Sequence, residues 1–287
     1  MINQNITIEK KKLLGSGYFG KVFESHYSIL NKEIALKVLD KDKVSLNDFE
    51  NEYKAMNILE NENIVKFYGK FEDKENYYLI MEKCDSNLYD YITNKKGLTV
   101  EEIRIIIKQL NKAFKLMNEK CIIHRDIKPN NILINYKNKK SVVVKLSDFG
   151  TIKMLMSSLR ASTQVGTNGF MAPEIRKLQN KDYSENEEKK YYTNKADLWS
   201  IGVMLIYMFF NNIDEIKLYN GILPDIEKIK DDNLKDLIKQ LVVIEPEKRI
   251  NWENYFNHPF FDDNEKKIKK LTEENELLKK RIFNYLN

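Results

Sequence analysis

The sequence predicts an α+β fold in two lobes, a small antiparallel β-sheet with one long helix followed by a larger, mainly helical lobe. Three observations carry that expectation. Short apolar segments alternate at a two-residue period through the first eighty residues, one helical run interrupts them, and from Leu88 onward the apolar spacing becomes mainly helical. With 287 residues, 42% hydrophobic and 32% charged, the chain can bury a core in both lobes and has the composition of an ordinary globular protein.

In chain order, Ile6-Thr7-Ile8, Val22-Phe23, Ile34 to Leu39 and Tyr77 to Met81 read as strands. Between the last two, Phe49, Tyr53, Met56 and Leu59 recur at three- and four-residue steps after Asn47 and Asp48, which predicts a helix with one apolar face. A second lobe begins near Cys84, so the chain divides into residues 1–83, 84–264 and a charged tail 265–287. Thr99 and Glu102 have the spacing of a capping box ahead of the periodic run Ile103 to Met117. Val142 to Leu146 reads as a strand, and the strongly polar stretch Asn180 to Lys190 as a surface insertion. The chain has no internal repeat.

Charge and cysteine usage narrow the partners. The formal net charge is +5, but the lysines are scattered among acids and asparagines, which describes a solvated surface and predicts no nucleic-acid or membrane partner. Met1 to Glu9 lacks the basic start and apolar run of a secretory signal, and Ile201 to Phe210 is about half the length of a bilayer span, so a cytoplasmic location is expected, with the nucleus left open. Cys84 and Cys121 stand apart without metal-site spacing and are expected to be reduced thiols.

The chemistry is concentrated in four short strings and one helix carboxylate. Gly15-Ser16-Gly17-Tyr18-Phe19-Gly20-Lys21-Val22 is a glycine-rich turn whose backbone N–H groups can approach phosphates, and a strand-like Val22-Phe23 follows it where a dinucleotide-binding turn would open a helix. Ile34-Ala35-Leu36-Lys37 places a lysine at a strand end, within reach of α- and β-phosphates. That lysine needs a carboxylate partner, and Glu52 and Glu50 on the following helix are the candidates. In His124-Arg125-Asp126-Ile127-Lys128-Pro129-Asn130-Asn131, Asp126 can accept the proton of an attacking hydroxyl. Lys128 can neutralise a transferring phosphoryl group, and Asn131 can bind magnesium through its amide oxygen. Asp148-Phe149-Gly150 follows a strand and supplies a hard oxygen ligand for a second magnesium.

These four strings with the helix carboxylate, in this order, resemble the eukaryotic protein kinase superfamily, over roughly residues 8 to 262. The resemblance implies an enzyme that binds ATP with Mg2+, with Mn2+ as a substitute, and phosphorylates protein hydroxyls. Its register prefers Glu52 over Glu50 as partner of Lys37. It makes Met81 the gatekeeper, turns the backbone of Glu82 and Cys84 toward adenine, and places Val22, Ala35 and Leu133 against the purine. Met56, Phe67, His124 and Phe149 match the switchable regulatory spine. Ala172-Pro173-Glu174 closes the activation segment, Arg249 pairs with Glu174, Asp197 opens the helix that anchors the catalytic loop, and His258-Pro259-Phe260-Phe261 resembles the domain end. Lys128, with Gly166-Thr167, implies serine/threonine preference, Thr167 bonding near Asp126 and Lys128.

Arg125 before the catalytic aspartate implies activation by a phosphate on Ser157, Ser158, Ser162 or Thr163, with Ser162 and Thr163 favoured, added by an upstream kinase or by autophosphorylation in trans. Asn130 stands where arginine-directed members often carry glutamate, which leaves Asp85 and Asp90 as acidic substrate contacts. Asn61-Glu62-Asn63 replaces the usual His-Pro-Asn, and Asn211 to Asn220 lacks the common Pro-Phe. A non-catalytic scaffolding module is the main rival reading, and the presence of Lys37, Asp126, Asn131 and Asp148 argues against it. In the tail, Ile268, Leu271, Asn275, Leu278, Ile282 and Tyr285 form a short heptad seam, with Glu274 set to face Lys279 of a parallel partner. That seam fits either a weak homodimer through residues 268–285 or a helix packed on its own second lobe.

Overall fold

A computed structural model describes residues 12–17, 20–138, 141–150, 153–154, 169–179 and 194–262. The first lobe is a five-stranded antiparallel sheet in the order β1 (Leu13–Ser16), β2 (Gly20–Tyr27), β3 (Lys32–Asp40), β5 (Asn76–Glu82), β4 (Phe67–Glu72). Alternation along β3 decides what each face does. Ile34, Leu36 and Val38 pack with Tyr27, Tyr78 and Ile80 on one side. Ala35 and Leu39 join the main core on the other, and Lys37 lies between them on that same face.

The helix α1 (Leu46–Ile58) crosses that inner face. Its N-cap is Ser45, whose hydroxyl accepts the Asp48 N–H at 3.1 Å, so it starts slightly earlier than Asn47 and Asp48 suggested. Its buried stripe is Phe49, Glu52, Ala55 and Met56, with Tyr53 only partly covered. A charged residue therefore occupies the centre of an apolar face. The predicted strand Ile6-Thr7-Ile8 lies outside the described residues.

The second lobe begins with β6 (Ser86–Asn87) and α2 (Leu88–Lys95), then α3 (Val100–Glu119), whose Thr99–Glu102 capping box forms as expected. Beside β7 (Ile122–Ile123), paired with β10 (Lys153–Met154), lies the sheet β6, β8 (Ile132–Asn138), β9 (Ser141–Leu146). Beyond α4 (Pro173–Gln179), the helix α5 (Lys195–Phe210) is buried nearly all round, which makes it the centre of the lobe, packed against α3, α6 (Glu215–Tyr219) and α7 (Asp232–Leu241), while α8 (Trp252–Phe256) packs on α3 through Trp252 and Phe114. The two-lobed α+β expectation holds. Among the described residues no helix is long and apolar enough to cross a membrane. The insertion Asn180 to Lys190 and the tail seam lie outside the described residues.

The connection from α1 to β4 is grafted onto the second lobe. Leu146 N–H donates to the Asn63 carbonyl at 2.8 Å, Val65 N–H to the Leu146 carbonyl at 2.9 Å, and Asn63 Nδ2 to the Val144 carbonyl at 2.9 Å. The strand β9, which leads into Asp148, is thereby shared between the lobes.

Candidate active site

The glycine-rich turn closes by a bond from Gly17 N–H to the Gly20 carbonyl at 2.9 Å. Its glycines have different causes. A Cβ on Gly15 or Gly17 would meet nothing within 4 Å, so both leave open space, whereas a Cβ on Gly20 would lie 2.0 Å from the Val38 carbonyl oxygen. Gly20 is required by the backbone of β3 next to it. Ser16 and Gly17 are exposed, and Tyr18 and Phe19 lie outside the described residues.

On the inner face of β3, Lys37 Nζ reaches Glu52 Oε1 at 2.6 Å and Asp148 Oδ1 at 2.7 Å. Glu50 pairs with Lys70 instead. Burial pulls Lys37 down, but the charges of Asp148 and Glu52 outweigh it and hold the ammonium above the ordinary lysine range. Burial likewise acts to raise Asp148, yet Lys37 overrides it and lowers that carboxyl to about 2. Asp148 is therefore an ionised oxygen donor. Gly150 allows the close approach, since a Cβ there would sit 3.3 Å from both Lys37 Nζ and Glu52 Oε2.

Asp148 adopts φ 64°, a left-handed backbone that non-glycine residues reach only at a cost of about 1–3 kcal/mol, and Arg125 adopts φ 68°. The surroundings hold both. Asp197, on α5, accepts the backbone N–H of His124 at 2.8 Å and of Arg125 at 2.9 Å. His124 Nε2 lies 3.0 Å from the Ser147 carbonyl and Nδ1 lies 3.4 Å from the Asp126 backbone nitrogen, so the ring ties the loop after β7 to the residue before Asp148. Phe149 is fully buried with its ring 5.1 Å from that imidazole, and Met56 and Phe67 belong to the same core.

Asp126 is buried beside Lys128 and Asn131. Lys128 Nζ lies 2.7 Å from its Oδ2, and Asn131 Nδ2 donates to its carbonyl at 2.8 Å and to Oδ2 at 2.9 Å. With both amide bonds directed at Asp126, the Asn131 oxygen is the atom left to face a cation. Together with ionised Asp148 this is an all-oxygen donor pair, which fits a hard ion such as Mg2+. Along the cleft wall, Ala35 pairs with Met81 and Val22 with Lys37 across the sheet, and Val22, Cys84 and Leu133 pack against the main core. Burial first, and then Glu82, pushes the Cys84 thiol up to about 12, so it stays protonated and unreactive at neutral pH. The backbone N–H and C=O of Cys84 bond to no other described backbone group.

A separate cavity of about 510 Å3 lies behind α1, lined by Met56, Leu59, Phe67 and Lys145 among others, and none of the residues expected to hold nucleotide borders it. Thr167, Ser157, Ser158, Ser162 and Thr163 lie outside the described residues. Three contributors escaped the sequence reading. Ser147 fixes Asn131 by donating both its N–H and its hydroxyl to the Asn131 carbonyl, each at 2.9 Å, and Gln109 braces β9 at Val142 and Val144. The third is the Glu82 side chain, which accepts Asn135 Nδ2 at 2.9 Å and pairs with Lys145 at 3.0 Å. Adjacency to Asp148 was the only available signal for Ser147.

A family model described as "Protein kinase domain" matches residues 8–261. The chain is 31% identical over 273 residues to Serine/threonine-protein kinase ULK1 of Homo sapiens, covering 88% of this chain and 25% of that protein. It is 31% identical over 274 residues to Serine/threonine-protein kinase atg1 of Dictyostelium discoideum, covering 88% and 39%. With Serine/threonine-protein kinase unc-51 of Caenorhabditis elegans it shares 32% over 276 residues, covering 88% and 31%. The chain thus spans a quarter to about two fifths of the length of these relatives.

Proposed function

This chain belongs to the protein kinase domain family, and from that premise we propose that it is a serine/threonine kinase transferring the γ-phosphoryl group of Mg-ATP to protein hydroxyls. The observation that carries the reading is a pair of triads, Lys37, Glu52 and Asp148, and Asp126, Lys128 and Asn131, linked by Ser147, which adjoins Asp148 and donates to the Asn131 carbonyl. Lys37 would hold the α- and β-phosphates, kept cationic and oriented by Glu52. Asp126 would orient the acceptor hydroxyl and take its proton, and Lys128 would follow the phosphoryl charge as it develops. Bound through Asp148 and Asn131, Mg2+ would supply charge neutralisation on the phosphates. Serine/threonine preference is supported by Lys128 and Thr167 and by the names of the similar proteins.

Regulation by phosphate on Ser162 or Thr163, added in trans or by an upstream kinase, belongs to the same proposal and rests on Arg125 beside Asp126. The test is transfer from γ-labelled ATP to a generic protein substrate. Wild type labels serine and threonine, and Asp148→Ala loses at least about a hundredfold of the rate. Equal labelling by both would indicate a contaminant and overturn the reading. The Ser162→Ala, Thr163→Ala double variant runs in the same assay and labels more slowly. If it keeps full rate and wild type carries no phosphate by mass spectrometry, the regulatory part fails.

A further inference from the structure

We infer that the Glu82 side chain, clasped by Lys145 and Asn135, is a positioning device that presets the backbone between the lobes for the nucleotide. Glu82 is the last residue of β5, where the chain leaves the small sheet. Its Oε2 accepts the Lys66 N–H at 3.2 Å and lies 3.0 Å from Lys145 Nζ, and its Oε1 accepts Asn135 Nδ2 at 2.9 Å. One carboxylate therefore takes donors from the approach to β4, from β8 and from β9. Its own N–H is fixed as well, on the Lys66 carbonyl at 2.8 Å.

The geometry makes this more than a surface ion pair. The two side chains are only 20% and 13% exposed, so solvent and salt screen them weakly. Lys145 lies on β9, so the clasp joins the end of β5 to the sheet of the second lobe. The next residue is pinned the opposite way: Lys83 Nζ pairs with Glu24 on β2 at 3.0 Å. Successive side chains thus tie the crossing to the large lobe and to the small sheet, which restricts rotation of the peptide planes from 82 to 84.

The inference rests on the proposed function, in which those planes face adenine. A backbone already held in its binding conformation loses less freedom when a nucleotide docks. The clasp should therefore act on nucleotide affinity and leave the phosphoryl-transfer groups untouched. Glu82 and Lys145 are positioning residues acting through the main chain.

The experiment compares wild type with Lys145→Met, which keeps the stem and removes the charge, by ADP titration calorimetry and by steady-state kinetics. ADP dissociation constant and KM for ATP rise about fivefold, while kcat stays within about twofold and KM for the protein substrate is unchanged. Lys145→Arg, which restores the charge, stays near wild type. Asn135→Ala, which leaves the charge pair intact, gives a smaller rise in the same direction and reads the clasp independently of how well Lys145→Met folds. ADP affinity equal to wild type in both Lys145→Met and Asn135→Ala, or a loss confined to kcat, overturns the inference. ADP binding needs no turnover, so a wild type that binds ADP without transferring phosphate would sink the proposed function and leave the clasp to be judged on affinity alone.

Discussion

Lys37 sits between two carboxylates with about 9% of its side chain exposed, and breaking such a buried arrangement leaves an uncompensated charge. The titration of Asp148 reports on it directly. Its carboxyl is held at about 2, below the ordinary aspartate value, so the ion pair adds stability above about pH 4 and loses it as pH falls toward 2. The melting temperatures of wild type and Asp148→Asn should accordingly converge over that window. A constant gap down to pH 2 would mean that the pair contributes nothing. With 41% of the Asp148 side chain exposed, the effect is screened and its sign is the informative quantity. At this scale the ionic and metal-facing residues were legible because phosphate chemistry demands those side chains at that spacing. The Glu82 clasp was not, since its three donors come from positions 66, 135 and 145, and nothing local in the sequence links them.

Within elements, the glycine turn separates packing from binding. Gly20→Ala drives a Cβ into the Val38 carbonyl and should lower stability by about 1–3 kcal/mol, read as an earlier melting transition. Gly15→Ala enters open space and should keep stability within about 0.5 kcal/mol while weakening ATP binding. Equal melting of the two variants would contradict this division. The sequence motif treats all three glycines alike; only the register of β2 against β3 distinguishes them. Alternation made β3 and β5 readable, and the capping box made the start of α3 readable. The strand β4 was missed because Phe67–Glu72 is half-exposed without a clean two-residue period. In α1 the predicted Phe49, Met56 and Leu59 are buried, Tyr53 is partly covered, and the buried face also takes in Glu52 through its bond to Lys37, a tertiary contact that hydrophobic patterning does not show.

Across the whole molecule, specific ties among the described residues join the two lobes. The bridge between Ile64 and Leu146 seats the α1 to β4 connection on the second lobe, and the clasp at Glu82 secures the crossing. Deep in the second lobe Arg249 makes a two-bond pair with Glu174 at 2.7 and 2.9 Å and lies 5.3 Å from the Trp199 ring, so the start of α4 is anchored to the core behind it. One triad is carried by the sheet lobe and the strand end, the other by the loop after β7, and Ser147 links them through the Asn131 carbonyl. The division of labour between them is the central claim: one holds the nucleotide, the other handles the hydroxyl. Its most direct test is Asp126→Asn, which keeps the shape of the site and removes the base. Wild-type ADP affinity within about twofold, together with a loss of at least about a hundredfold in labelled phosphate transferred to serine and threonine, is the predicted result. Transfer at the wild-type rate would contradict it.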